Sequence, residues 1–194
     1  MDLSGYEVIL ASKSPRRREL LGHITENFRV LVREVDESLP DGVHPRDGVE
    51  LLAVKKGEAV AKEHPSAVVI SSDTLVELDG AALGKPCDED DAARILRILS
   101  GVTHNVHTGV AVQYRGKVYS GVASSGVTFK PLTDVEIREY INTGEPMDKA
   151  GAYGIQGLGG KFVLQYDGDF DTIMGLSVSL TRELISKALE VKND

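Results

Sequence analysis

Val8-Ile9-Leu10-Ala11-Ser12-Lys13-Ser14-Pro15-Arg16-Arg17-Arg18-Glu19-Leu20-Leu21 sets the reading of this chain. The apolar run Val8-Ile9-Leu10 predicts a buried strand. It stops at two hydroxyl residues. Ser14 suits a helix N-cap, and Pro15 suits the first helical position. Arg16, Arg17 and Arg18 then fill the opening turn. The helix dipole already places partial positive charge there, so three cations are unfavourable unless an anion lies among them. A strand, a hydroxyl-bearing turn and a helix N-terminus form a phosphate-binding pattern. The alternative is a solvated basic turn on a surface helix.

Working outward, strands and helices alternate. Residues 28–33 read as a strand that runs into an acidic segment holding Glu37. Pro40, Gly42 and Pro45 mark a loop. A helix follows from Asp47 to Glu63. Val49, Leu52, Ala53, Lys56 and Val60 share one of its faces, so Lys56 lies on the apolar stripe and Lys55 points elsewhere. Lys56 is either a stripe-edge lysine snorkelling to water or a lysine aimed into a cleft. Residues 67–71 form a buried strand that ends in Ser72-Asp73-Thr74, and 75–78 continue extended. Asp79-Gly80 is a hairpin turn. Asp88 opens a helix with Ala92, Ile95, Leu96 and Leu99 inward. Residues 105–112 and 117–129 are two strands joined at Arg115-Gly116. Thr133 and Glu136 form a capping box, stapled by Leu132 and Ile137. Residues 144–175 hold eight of the twenty glycines, which suits close backbone approach to a ligand. Phe162-Val163-Leu164 is a strand, and Ser177 opens the last helix. Several strand pairs are hairpin-like. The expected fold is therefore α/β, with a mixed twisted sheet flanked by helices and a central cleft. One domain over residues 1–194, with two lobes around the cleft, fits this length.

With 41% hydrophobic and 27% charged residues the chain has ordinary globular composition. A net charge of −8 argues against nucleic acid and anionic membranes as partners. It leaves room for a small anion held by a local basic cluster. Cys87 is the single cysteine, so no internal disulfide forms, in keeping with a reducing, cytoplasmic location. No signal peptide or membrane-spanning stretch is visible. Cys87 precedes a helix N-terminus, a position that lowers a thiol pKa. His104 and His107 fall on opposite faces of a strand, so they share no zinc. No Walker-type or dinucleotide glycine motif is present. An arginine cluster, two lysines, several acids and a glycine-rich loop suit a polyphosphate with a divalent cation.

Ser12-Lys13-Ser14-Pro15-Arg16-Arg17 followed by Glu19-Leu20-Leu21 resembles the opening motif of the Maf proteins. These are nucleoside triphosphate pyrophosphatases, related in fold to the inosine triphosphatases. Leu52-Ala53-Val54-Lys55-Lys56, Ser72-Asp73-Thr74, Gly84-Lys85-Pro86, Leu99-Ser100-Gly101 with His104 and Thr108-Gly109, and Asp148 to Gly157 extend the resemblance along the chain. The resemblance implies attack by water on the α-phosphorus, releasing a nucleoside monophosphate and pyrophosphate. It implies a catalytic set of Asp73, Lys56, Lys85 and Glu37. Asp73 acts as base or through metal, and Glu37 and Asp73 hold Mg²⁺ or Mn²⁺. Ser12, Arg16, Arg17, Thr74 and Gln156 would bind substrate. It also implies a homodimer.

Within the family, Arg16, Thr74 and Gln156 match the branch that resembles dTTP and UTP pyrophosphatases. The branch resembling a 7-methyl-GTP pyrophosphatase tends to an aromatic residue, Gln and Glu there. An amide such as Gln156 can both donate and accept, as a pyrimidine edge requires. Two readings compete with this one: the 7-methyl-GTP activity, and a nucleotide-binding regulator of septum formation that does not turn its ligand over. Thr172 and Ser177 depart from the family's usual Asn and Pro, and Thr172 is shared with the 7-methyl-GTP branch. Gly57 stands where alanine is common, a small helix penalty.

Overall fold

The computed structural model describes residues 1–190. The elements, in chain order, are β1 (Val8–Leu10), α1 (Pro15–Gly22), β2 (Arg29–Val30), α2 (Pro45–Ala61), β3 (Val68–Leu78) and β4 (Ala81–Leu83). Then come α3 (Glu89–Leu99), β5 (Thr103–Tyr114), β6 (Lys117–Phe129), α4 (Asp134–Ile141), β7 (Val163–Asp167), α5 (Phe170–Met174) and α6 (Val178–Glu190). Three short 3-10 turns fill the glycine-rich stretch between α4 and β7. All seven strands join one sheet in the order β2-β1-β3-β5-β6-β7, with β4 on β3. The β1 pairings are parallel and the others antiparallel. The fold is the expected mixed α/β sheet with helices on both faces.

Local chemistry explains most element ends. Ser14 caps α1, accepting from Arg17 N, and Pro15 opens the helix. Asp88 caps α3, and Thr133 with Glu136 forms the full capping box on α4. Asp79 and Gly80, and likewise Arg115 and Gly116, take positive φ at the two hairpin turns, as type I′ turns require.

Several elements differ from the sequence reading: β7 covers Val163–Asp167 where Phe162-Val163-Leu164 is expected, with Phe162 ending a 3-10 turn, and β5 extends the strand expected over 105–112 to Thr103–Tyr114. The strand expected over 28–33 shrinks to Arg29–Val30, an exposed pair at the sheet edge. Helix α2 starts two residues early: His44 Nδ1 accepts from Arg46 N, which makes Pro45 the first helical residue and not a loop marker. The five-residue α5 has no counterpart in the sequence reading; it is shorter than two helical turns, too short for periodicity to show.

Strand alternation sorts the two faces. On one face Ser71 donates to the α2 carbonyl of Ala53 at 2.7 Å. Gly109 lets the α2 backbone come closer still: a Cβ there would lie 2.3 Å from the Val49 carbonyl oxygen. The other face carries two apolar clusters. Val68, Ile70, Val110 and Val112 pack with α1 and α6 residues such as Leu21, Leu184 and Ile185. Val76, Val106, Val127 and Phe129 pack with α3 and α4 through Leu96, Leu99, Ile137 and Tyr140.

Gly57 has a packing reason. A Cβ there would fall 2.0 Å from Gln113 Oε1. The Gln113 amide is buried against the helix and donates to the Val54 carbonyl at 3.2 Å. The helix penalty is offset by room for this side chain.

Candidate active site

The sheet opens a notch in β3. Along one edge β3 pairs with β1 at Val68–Ile70 and with β4 at Val76–Leu78. Ser71 to Leu75 have no strand partner on that edge, and Asp73 lies at its centre. Ligands of open α/β sheets collect where neighbouring strands part in this way.

Two side-chain groups meet there, one from each face of the sheet. On the α2 face, Lys56 Nζ lies 2.5 Å from Asp73 Oδ1 and 3.0 Å from Glu37 Oε2. The Lys56 and Asp73 side chains are 16% and 10% exposed, whereas Glu37 is 60% exposed. The ammonium thus bridges a buried carboxylate and one reaching in from solvent. Lys55 points away, as the helical register requires, but is not idle: it donates to the Asp36 carbonyl at 2.8 Å and holds the acidic segment over the helix.

On the opposite face Arg17 reaches inward from α1. Its Nη1 donates to the Ser72 carbonyl at 2.7 Å, and its Nε donates to the Gly175 carbonyl at 2.8 Å. Nη2 donates to Thr74 Oγ1 at 3.2 Å, and Nη1 also meets Ser12 Oγ at 3.4 Å. Arg17 therefore takes up the carbonyl that the notch leaves without a strand partner. Burial pushes its pKa below the ordinary value, and Asp73 opposes that shift. An anion among the three arginines is not needed to explain Arg17, because carbonyl oxygens at the end of α5 and on β3 take up its charge. Gly175, at φ +115°, closes α5 and turns its carbonyl toward the guanidinium.

The hydroxyls here have fixed directions. Thr108 Oγ1 spends its proton on the Thr172 carbonyl at 2.7 Å. Its contact with Thr74 Oγ1 at 2.9 Å must then be donated by Thr74. The chain runs Arg17 to Thr74 to Thr108 to Thr172, and Thr74 keeps only a lone pair for other partners. Ser12 is the reverse case. Its oxygen accepts from Ser14 N and Arg17 Nη1, which leaves its proton free to donate.

The notch thus unites Ser12, Arg17, Glu37, Lys56, Asp73 and Thr74 through direct contacts. Lys85, Arg16 and Gln156 form no hydrogen bond or ion pair with that cluster among the described residues. Lys85 is exposed, just past β4. Its neighbour Gly84 accepts from Gly151 N at 3.1 Å, which ties the β4 end to the glycine-rich segment. Arg16 is half-buried, and its charge helps lower the Asp148 pKa after the larger effect of the Lys149 hydrogen bond. Gln156 is exposed in the glycine-rich segment.

Among the described residues no group of three or more His, Cys, Asp or Glu side chains gathers to hold a metal. Asp73 and Glu37 do converge on one cation, the Lys56 ammonium. Two carboxylates suit Mg²⁺ or Mn²⁺ when phosphate oxygens and water complete the shell. Cys87 departs from expectation. Residual desolvation, then the nearby Asp88 and Asp91 carboxylates, hold its thiol pKa above the ordinary value. His104 and His107 do face opposite ways: His104 Nε2 meets Tyr153 Oη at 2.9 Å, and His107 Nδ1 meets Ser124 Oγ at 2.7 Å.

Sequence reasoning missed several contributors. Gly175 acts through contacts with Arg17 and Ser72 and carries no charge to flag it, and Thr108, although inside a matched block, gave no sign of its bonds to Thr74 and Thr172. Glu145 and Tyr140, described below, gave no signal beyond lying near the glycines.

A sheet notch lined by two cations, two carboxylates and a free hydroxyl donor offers the groups that a polyphosphate with a divalent cation would need. The sequence then fixes the family: the Maf-like protein family profile matches residues 7–188, and the chain belongs to that family. The chain is 44% identical to a Bacillus velezensis dTTP/UTP pyrophosphatase over 93% of this chain and 95% of that protein. It is 44% identical to the Pelotomaculum thermopropionicum dTTP/UTP pyrophosphatase over 93% of this chain and 96% of that one. For the Bacillus cytotoxicus dTTP/UTP pyrophosphatase the figures are 46%, 91% and 93%. Among solved structures, the Staphylococcus aureus Ham1 protein is a distant likeness. It has TM-score 0.48 and 16% identity over 63% of this chain and 71% of that one.

Proposed function

We propose that this chain hydrolyses dTTP and UTP, and modified pyrimidine triphosphates, to the nucleoside monophosphate and pyrophosphate. The observation that carries the reading is the Lys56 ammonium held between Asp73 and Glu37 at the β3 notch. A protein that only binds nucleotides needs no carboxylate pair beside its phosphate anchors. The names of the relatives, at 44–46% identity over more than nine-tenths of the chain, support the same activity.

On this reading the triphosphate lies along the notch. Ser12 donates its free proton to a phosphate oxygen, and Lys56, Lys85 and Arg17 offset the developing charge. Asp73 Oδ1 is taken by Lys56, which leaves Oδ2 to receive the proton of the attacking water. The water oxygen bonds to the α-phosphorus, the bond to the bridging oxygen breaks, and pyrophosphate leaves with that electron pair. Glu37 and Asp73 would hold Mg²⁺ or Mn²⁺, which when bound polarises phosphate oxygens and neutralises their charge. Arg16, Thr74 and Gln156 would read the pyrimidine. Thr74 can only accept, which matches the N3–H donor of uracil and thymine and not cytosine N3.

We infer a homodimer from β7. Leu164 and Tyr166 on this sheet edge are 69% and 49% exposed, and Phe170 of α5, packed against Tyr166, is 38% exposed; bare apolar edges are normally covered. Leu164→Lys should shift sedimentation from dimer to monomer; a wild-type monomer at micromolar concentration would remove the dimer and leave the catalytic reading intact. Among the described residues no helix is long and apolar enough to cross a membrane. With one unpaired cysteine, a cytoplasmic location is the reading we adopt.

The test is pyrophosphate release from dTTP, UTP, CTP, GTP and 7-methyl-GTP with Mg²⁺ or Mn²⁺ in one buffer. Highest kcat/KM on dTTP and UTP is expected. A preference for 7-methyl-GTP would move the chain to the other branch, and binding without release would make it a regulator.

A further inference from the structure

The glycine-rich segment is suspended from two side chains. Glu145 Oε1 accepts from Tyr140 Oη at 2.8 Å and from Gly159 N at 3.1 Å, while Oε2 accepts from Leu158 N at 2.9 Å. Tyr140 Oη in turn accepts from Gly154 N at 3.2 Å. Gly154 is thus held at one end and Leu158 and Gly159 at the other. Ile155, Gln156 and Gly157 span the space between. Gln156 sits exposed in that span.

The glycines are shaped for this grip. A Cβ at Gly157 would lie 2.4 Å from Glu145 Oε1, and one at Gly159 would lie 2.6 Å from Tyr140 Oη. Any larger residue at either place would push the clamp off. Burial disfavours the charged form of Glu145, but the bonds from Leu158 N, Tyr140 Oη and Gly159 N outweigh it and keep the carboxyl below its usual range. Tyr140 is fully buried, and burial followed by its bond to Glu145 raises its pKa. An ionised acceptor under one hydroxyl donor and two backbone N–H groups, with that hydroxyl itself accepting from Gly154 N, is a satisfied network, which rigidifies what it holds. Neither residue contacts the Asp73 cluster.

We infer that Glu145 is a positioning residue for base recognition: with Tyr140 it fixes the backbone that presents Gln156. The inference rests on the reading that Gln156 faces the pyrimidine. It separates the phosphate anchors around Lys56 and Asp73 from one part of base recognition, the segment that this clamp holds. A ligand with phosphates and no base should ignore the clamp.

The experiment measures equilibrium binding of UTP and of inorganic triphosphate, with Mg²⁺, to the wild-type chain, Glu145→Gln and Tyr140→Phe. Glutamine keeps the volume of Glu145 but replaces one acceptor oxygen with a donor, so at least one bond to the loop is lost. UTP affinity should fall about tenfold, the value of one hydrogen bond to a charged group. Inorganic triphosphate should bind all three within about twofold, since that affinity reports only the phosphate side. Tyr140→Phe should act in the same direction with a smaller loss, and it carries the test if Glu145→Gln fails to fold. Affinities for both ligands falling together would make Glu145 a general structural residue and overturn the inference. UTP affinity unchanged in a folded Glu145→Gln would overturn it as well. These readouts need no turnover. Absence of pyrophosphate release by the wild type would sink the proposed reaction while leaving this comparison decisive.

Discussion

The notch at β3 and the glycine-rich segment are built on opposite principles. At the notch, side chains from regular elements carry the chemistry: Lys56, Asp73 and Arg17 project from α2, β3 and α1. Lys56 meets Asp73 at 2.5 Å and Glu37 at 3.0 Å, and Arg17 meets two backbone carbonyls at 2.7 and 2.8 Å. In the glycine-rich segment the side chains of Glu145 and Tyr140 hold backbone amides, and the backbone between them carries Gln156. The difference teaches where each kind of specificity arises. Charge on rigid elements suits the constant part of a substrate, its phosphates. A loop whose shape is set by hydrogen bonds suits the variable part, its base.

The sharpest way to break the comparison is at Asp73. Asp73→Asn keeps the volume and removes the base, so kcat should drop roughly 10²–10⁴-fold. Thermal unfolding should move little. Near wild-type turnover in that variant would take Asp73 out of the reaction and leave the notch a binding feature.

The glycine-rich side has a pH handle. His104, beneath Tyr153, is depressed from 6.5 to about 4 by burial. The folded state therefore resists protonation between those values while the unfolded chain accepts it. The contribution is whole above about pH 6.5 and is lost as pH falls toward 4. Across that interval the loss is roughly 3 kcal/mol. Denaturant unfolding from pH 7.5 to 4 should show that loss, and His104→Gln should flatten it. An equal slope in the variant would assign the loss to other groups.

Lys56→Met tests the notch as a charge cluster. Deleting an unpaired lysine from an apolar stripe leaves stability unchanged or slightly raised. The ion pairs reverse that expectation, because Asp73 would be left without its counter-ion in a mostly buried place. We expect a loss of roughly 1–3 kcal/mol together with lost activity. Lys55→Met removes an exposed bond and should cost less than about 1 kcal/mol. A larger loss of activity in Lys55→Met would invert the assignment of the two lysines.

At Gly57 the expected effect is smaller than at Lys56. Gly57→Ala gains helix propensity but drives a methyl into Gln113, a net loss of about 1–2 kcal/mol. Gly57→Ala combined with Gln113→Ala should recover most of the clash cost. Additive losses in the double variant would show that Gln113 is not the obstacle.

Much of this protein is determined by sequence over short distances. Ser14-Pro15, Asp88 and Thr133 with Glu136 set helix starts, because a cap needs only the next three residues. Asp79-Gly80 and Arg115-Gly116 set hairpins through their own dihedrals. The α2 periodicity sent Lys56 and Lys55 to different partners. Tertiary structure decided the rest. Whether Glu37 reaches Lys56, and why Arg17 tolerates a helix N-terminus, depend on carboxylates and carbonyls brought in from 19 to 158 positions away. Gly57 read as a helix fault until Gln113 lay against it, and Glu145 as one more acid until the loop amides closed on it. Caps and turns are satisfied within their own peptide. A buried charge or an orphan carbonyl is satisfied only by whatever the folded chain places beside it, and local sequence does not name that partner.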